Sequence, residues 1–244
     1  MERKNWFQKI PPAVCLLFLF ASLETFAEGK DLIPNAIWEQ HQLQQEGQKL
    51  VKNGFYEEAI SRFREALSPR YIKFEDDKGF AKYSITHVLI LQGKYDAALK
   101  EYQWFLDQNK KNNKAIVHAR EIQALKEYQS TQDPQTILNY IDLLKNEYAD
   151  SLPPQGYDSG IGVGQIATIL RLYDTIGDQD AGIRYIDEIM EYFKQNDIRR
   201  KGSYQPGNAD QAYLKLREAF EKDKAVHTKG GATKALIQSD YFPW

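Results

Sequence analysis

The histidines are the residues of this 244-residue chain best suited to metal binding or acid–base chemistry, because imidazole titrates near neutral pH. The four histidines are His41, His87, His118 and His227, and none lies three to five residues from another. Zinc sites built from histidine and cysteine depend on such close spacings. We therefore predict no metal site and no cofactor, and interpret the histidines as ordinary polar side chains.

Motifs for a serine nucleophile or for phosphate binding are also missing. No G-x-S-x-G sequence occurs, and Ser159 has no histidine near it in the sequence. The alternating glycines of 160–164 resemble a nucleotide loop only superficially, because such a loop follows a strand and here Pro153-Pro154 precedes it. We predict that the chain is not an enzyme.

The N-terminus has the features of a secretory signal. Three basic residues fall within the first nine positions, an apolar stretch runs from Pro12 to Leu23, and Thr25-Phe26-Ala27 provides small residues for cleavage. The apolar stretch is shorter than the roughly 20 residues that a membrane-spanning helix needs. We predict a cleaved signal over residues 1–27 and a periplasmic or secreted protein with no stable membrane span. An uncleaved anchor is the alternative.

The composition of the chain argues against stabilisation by disulfides and against nucleic acid as a partner. The single cysteine, Cys15, lies inside the predicted signal, so the remaining chain has no cysteine with which to form disulfides. The formal net charge of −2 gives no overall positive field for nucleic acid. A hydrophobic content of 42% is typical of a folded protein.

Two segments of the chain share a pattern of small and aromatic residues, 39 positions apart. The first contains Gly47, Gly54, Tyr56, Ala59, Phe63 and Ala66, and the second contains Gly93, Tyr95, Ala98 and Tyr102. This pattern resembles the tetratricopeptide repeat, a pair of antiparallel helices that stacks on the next pair. The second segment departs from the first by having Thr86 in place of Gly47 and Phe105 in place of Ala66. The period exceeds the family's usual length of about 34, which predicts a longer connection around Tyr71–Lys78.

The resemblance assigns roles to the repeated residues. Gly47 and Ala59 are expected where the two helices of one pair cross, since only small side chains let the backbones approach. Gly54 is expected to take the left-handed conformation that ends the first helix. Tyr56 is expected to cover the turn, and Phe63 to fill the gap toward the next pair.

The remainder of the chain is read from helical periodicity and turn placement. We predict repeat-like pairs over 28–150, two clear and one degenerate, and a Pro/Gly-rich loop over 151–164. A divergent pair, capping helices and the aromatic tail Tyr241–Trp244 then fill 165–244. The predicted fold is all-α, a right-handed α-solenoid of antiparallel helix pairs with a C-terminal capping helix.

The resemblance also implies a function, because the first helix of each pair lines a concave groove in this family. By that analogy the groove residues are Gln44, Gln48, Lys52, Tyr83, His87, Lys126 and Arg171. We expect a non-enzymatic scaffold or adaptor that binds a peptide or partner segment in the cell envelope. The alternative is a binder of cell-wall glycan or a small ligand through the 151–164 loop. The oligomeric state stays open.

Overall fold

The structure is a computed structural model that describes residues 35–71, 78–108, 113–157, 162–196 and 206–239. All regular secondary structure within these residues is helical, which confirms the all-α prediction for this part of the chain. The predicted signal over 1–27 and the tail Tyr241–Trp244 lie outside the described residues.

The first of two compact units, Met1–Ala115, is built mainly from four helices. They are α1 (Asn35–Lys52), α2 (Tyr56–Ala66), α3 (Lys78–Leu91) and α4 (Tyr95–Gln108). Each helix packs against the next in the chain. The first unit is therefore two consecutive helical hairpins.

The second unit, Ile116–Trp244, contains the remaining helices. They are α5 (Asn113–Thr131), whose first turn belongs to the first unit, α6 (Pro134–Glu147), α7 (Gly162–Ile176), α8 (Gln179–Gln195), α9 (Pro206–Val226) and α10 (Gly231–Gln238). A short 3₁₀ helix, Ala149–Ser151, follows α6. From α6 onward consecutive helices pack together, and α10 also returns to pack on α7.

A backbone in the left-handed region follows every odd-numbered helix in the described part of the chain. A residue with positive φ follows α1, α3, α5, α7 and α9; these residues are Gly54, Gly93, Gln132, Gly177 and His227. At four of the five, all except Gln132, two backbone hydrogen bonds close the helix end as in a Schellman motif. After α1, for example, Gly54 N–H donates to Val51 O and Phe55 N–H to Leu50 O. The hairpin turn therefore repeats even where its glycine does not.

The core of the first hairpin depends on a close approach between α1 and α2. The ring of Phe63 lies against Gly47, where a Cβ atom would fall within 2.5 Å of a ring carbon. Ala59 and Ala66 are fully buried on the same helix as Phe63. The ring of Phe63 packs on the glycine of its own hairpin. Its expected role in filling the gap toward the next pair stays a prediction.

The second unit contains a similar contact between different helices. A Cβ atom on Gly182 of α8 would fall within 2.5 Å of the ring of Phe220 on α9. Helices α8 and α9 lie within the region for which a divergent pair and capping helices were predicted. Helix α7 begins at Gly162, so the last three residues of the predicted 151–164 loop are helical.

None of the helices in the described ranges has the length and apolar character needed to cross a bilayer.

Candidate functional site

Tyr83 and His87 lie one turn apart on α3, as the expected groove requires. The buried face of α3, formed by Ala81, Ile85 and Val88 among others, directs Tyr83 outward. Tyr83 is 38% exposed, which is high for so large a ring, and His87 is half-buried. Their ring centroids are 5.7 Å apart and meet edge to face. Tyr83 therefore presents an aromatic ring to solvent from a rigid helix.

Helix α4 supplies aromatic side chains that support the Tyr83 ring. The ring of Phe105 lies 6.4 Å from that of Tyr83, centroid to centroid, and 4.9 Å from that of Trp104. Phe105 also stacks at 5.1 Å on Tyr102, which is buried. Phe105 stands where the first segment has Ala66, so a departure from the repeat pattern builds this aromatic layer.

A cation borders the same layer. Lys82 Nζ lies 3.5 Å from Glu101 Oε2 and 5.9 Å from the centroid of the Trp104 ring. We call Lys82, Tyr83, His87, Trp104 and Phe105 the Tyr83 surface. Exposed aromatic residues with polar tips and a neighbouring cation are the side chains that dominate binding at protein interfaces.

The expected groove residues of α1 share one face of that helix. Gln44, Gln48 and Lys52 follow one another at four-residue spacing, and each is half-buried. His41 lies three residues before Gln44 on the same helix. Its ring centroid is 6.4 Å from that of Trp38. Burial lowers the pKa of His41 below its ordinary value, so its imidazole is neutral at pH 7.

The last two expected groove residues belong to the second unit. Lys126 is exposed on α5. Arg171 is only 5% exposed, and its guanidinium donates to the buried carboxylate of Glu121. His118 Nδ1 lies 3.6 Å from the other oxygen of that carboxylate. Arg171 therefore differs from the expectation of an exposed ligand contact: α7 is buried around most of its circumference, and the charge needs a partner inside the unit.

Sequence reasoning missed a cluster around Lys145. Lys145 Nζ, on α6, lies 4.4 Å from the ring centroid of Tyr185 and 3.4 Å from the hydroxyl oxygen of Tyr173. Burial lowers the pKa of Lys145, although Glu188 and Asp142 oppose this effect. Burial also raises the pKa of Tyr173 to about 12 and raises that of Tyr185. The only sequence signal was a lysine directly after the buried Leu144, beside the apolar stripe of α6.

Two buried carboxylates hold the segment that leads into α10. Asp174, which is 0% exposed, accepts hydrogen bonds from the backbone N–H groups of Gly230 and Thr233 at 2.8 and 2.7 Å. Asp223 accepts from Gly231 N–H at 2.7 Å. Both carboxylates satisfy N–H groups that the first turn of a helix leaves unpaired.

The described part of the 151–164 loop is tightly folded. A Cβ atom on Gly156 would fall 2.0 Å from the carbonyl oxygen of Asp150, and one on Gly162 would fall 2.4 Å from that of Ser151. The ring of Tyr157 packs edge to face on Phe193 at 4.6 Å. Gly156 and Gly162 therefore allow the backbone to approach the carbonyl groups of Asp150 and Ser151 closely. Gly160 lies outside the described residues.

No group of three or more His, Cys, Asp or Glu side chains in the described part of the chain is arranged to hold a metal ion. Comparison with known protein families, characterised proteins and solved structures gives no match.

Proposed function

We propose that this chain is an exported, tetratricopeptide-like repeat protein that binds a protein segment and catalyses no reaction. In this proposal the helical hairpins form a right-handed solenoid with a C-terminal cap. The binding site is the Tyr83 surface, and the partner resides in the periplasm or outside the cell.

One observation carries the proposal: a large ring exposed on the first helix of a hairpin and supported by aromatic residues of the second. Tyr83 remains 38% exposed although the ring of Phe105 packs against it, and Phe105 is in turn held by Trp104 and Tyr102. A partner that covers this ring gains the burial of its apolar area without the cost of ordering a mobile side chain.

The repeated hairpin turn supports the repeat architecture. A positive-φ residue ends α1, α3, α5, α7 and α9, while α2, α6 and α8 end at residues with negative φ. Such an alternation is expected when one supersecondary unit recurs along a chain.

Contacts between hairpins support it further. Glu57, in the first turn of α2, accepts hydrogen bonds from Gln92 and Lys94 in the turn of the following hairpin. Asp180, in the first turn of α8, accepts from Lys224 near the end of α9. These two hairpins thus hold the following helix through an acidic residue at an equivalent place, the third position after the glycine of the turn.

Site-specific photocrosslinking tests the partner-binding surface. Tyr83→p-benzoylphenylalanine should give a discrete adduct with one or a few envelope proteins. The matched control is Leu214→p-benzoylphenylalanine, because Leu214 is also an exposed apolar residue, at 45%, but lies on α9. The same adducts from both positions, or none from position 83, would overturn the proposal.

Binding strength gives the second measurement. Once a crosslinked partner is identified, Tyr83→Ala should weaken its binding by about 2 kcal/mol or more, which is the loss expected for an aromatic hot spot. Gln103→Ala, a change at an exposed residue of α4, should leave binding unchanged.

Sedimentation with isolated cell wall tests the alternative function, which is binding of cell-wall glycan through the 151–164 loop. A pure protein adaptor should stay in solution, and a glycan binder should pellet with the cell wall.

A further inference from the structure

Asn53 stands directly before the left-handed glycine that follows α1, and it is the only asparagine of the chain that a glycine follows. Asn53 and Gly54 are both exposed. The side-chain amide of Asn53 makes no hydrogen bond to another described residue. By contrast, the amide oxygen of Asn139 accepts a hydrogen bond and the amide nitrogen of Asn196 donates one. The Asn53 side chain can therefore turn toward the backbone that follows it.

We propose that Asn53 is a site of spontaneous deamidation, at which the folded protein slowly converts this amide into a mixture of aspartate and isoaspartate. Water is the only co-reactant. The modification is independent of the partner-binding surface on α3, since it takes place in the turn between α1 and α2. It gives a chemical role to a pair of residues that the repeat pattern uses only for its backbone conformation.

The reaction has two steps. The backbone nitrogen of Gly54 attacks the side-chain carbonyl carbon of Asn53, and the new C–N bond closes a succinimide ring. The former amide nitrogen leaves as ammonia and takes the proton that the Gly54 nitrogen loses. Water then adds to one of the two ring carbonyl groups. Opening at the side-chain carbonyl gives aspartate, and opening at the backbone carbonyl gives isoaspartate.

The first step is favoured at Gly54 because this residue has no side chain to shield the attacking nitrogen. The space beside it is also open, since a Cβ atom at Gly54 would meet nothing within 4 Å. The Gly54 N–H group donates to Val51 O at 3.0 Å, and this hydrogen bond lies at the end of α1. Helix ends open first, so brief fraying of the last turn releases the nitrogen for attack.

The second hairpin contains the same turn with a longer amide. Gln92 precedes Gly93, which has a φ of 70°, at positions 39 residues after Asn53 and Gly54. Attack by the Gly93 nitrogen on the Gln92 side chain needs a larger ring, which closes more slowly. The Gln92 amide nitrogen also donates to Glu57 at 3.0 Å, which holds the side chain in place. The two hairpins therefore differ in chemical stability at equivalent positions.

Isoaspartate at position 53 would lengthen the backbone of the turn by a methylene group. Phe55 N–H donates to Leu50 O at 2.9 Å across this turn, and that hydrogen bond depends on the normal spacing of the chain. A new carboxylate at the C-terminal end of α1 also opposes the helix dipole. Modification of Asn53 should therefore weaken the first hairpin.

Incubation of the full folded chain in heavy-oxygen water tests the proposal, because opening of the succinimide ring incorporates a labelled oxygen. Peptide mass spectrometry compares all asparagines in one sample, and electron-transfer fragmentation separates aspartate from isoaspartate. Asn146 is the matched control, since it is exposed in the last turn of α6 but Glu147 follows it. Asn53 should gain label at least several-fold faster than Asn146 and give both products. Equal labelling of the two residues overturns the proposal.

The variant Asn53→Gln gives the first hairpin the residue that the second hairpin has at Gln92. The peptide that contains position 53 should then lose its label, while labelling of Asn146 stays unchanged. Label that persists in this peptide of the variant would come from another residue and would also overturn the proposal.

Stability measurements test the effect of the modification on the hairpin. Anion-exchange chromatography separates the aged protein, which carries an added negative charge, from the unmodified protein. In urea, the isoaspartate form should unfold at a lower midpoint than Asn53→Asp, which has the new carboxylate but the normal backbone. Equal midpoints would show that the turn tolerates the longer backbone and that the modification does not weaken the hairpin.

Discussion

The ring of Phe63 on α2 occupies the space that a side chain on Gly47 of α1 would need. A Cβ atom added at Gly47 would fall 2.5, 2.7 and 2.9 Å from three carbons of that ring. Phe63 is 1% exposed and so has little room to move. The glycine and the ring together set how closely the two helices of the first hairpin approach.

Gly47→Ala should therefore destabilise the protein by about 1–3 kcal/mol, the usual cost of overpacking a core. The clash outweighs the gain of up to about 1 kcal/mol that alanine brings to a helix interior. Urea unfolding followed by circular dichroism measures the change. Gly79→Ala on α3 is the control, because a Cβ atom there meets nothing within 4 Å, and it should be neutral or stabilising.

Substitutions at two equivalent turn positions should change the stability of the protein in opposite directions. His227 has φ of 55° and Gly54 has φ of 81°, each following a helix. His227→Gly should stabilise the protein by about 0.5–1 kcal/mol, and Gly54→Ala should destabilise it by about 1–2 kcal/mol, because a side chain is strained in the left-handed region. Thermal and urea unfolding report both. Loss of stability in His227→Gly would contradict this account of the turn.

Asp174 should be more important for α10 than for the rest of the second unit. Its carboxylate accepts two backbone hydrogen bonds at the start of α10 while fully buried. Asp174→Ala should cost about 1–3 kcal/mol, since it removes the acceptor of two part-buried backbone N–H groups. Hydrogen exchange should accelerate at the amides of Gly230 and Thr233. Asp187→Ala, at an exposed residue of α8, should leave these amides protected.

Alkaline pH should destabilise the second unit through Tyr173. Its pKa in the folded protein is raised to about 12, whereas the unfolded chain ionises near 10. The unfolded state therefore loses its proton first, and the stability contributed by the neutral phenol is lost between pH 10 and 12. Unfolding free energies should fall more steeply over this interval in the wild type than in Tyr173→Phe. Identical slopes would contradict the raised pKa.

Local sequence patterns were sufficient to predict the helices of the first unit and the turns between them. The apolar periodicity and the glycines at 54 and 93 predicted both hairpins of the first unit, since these depend on residues near one another in the chain. The turns at Gln132 and His227 also have a positive φ but no glycine, so composition alone was a weaker guide to them.

The sequence predicted the candidate site residues less completely than it predicted the helices. The position of Tyr83 on its helix followed from spacing, but its support came from Phe105, a residue noted only as a departure from the pattern. Arg171 was aligned with a groove by the same kind of spacing, yet it is buried against Glu121. Spacing places a residue on a face of its helix, and only packing decides whether that face meets solvent.

The amino-acid sequence by itself determined the helical class, the glycine turns at 54 and 93 and the small residues at which the first two helices approach, because these follow from backbone preferences and periodicity. The tertiary structure alone decided which distant side chains meet. Lys145 and Tyr173 are 28 residues apart, and Asp174 and Thr233 are 59 apart. The pKa shifts of Lys145 and Tyr173 and the hydrogen bonds of both pairs arise from burial and proximity, and none of them exists until the helices have packed.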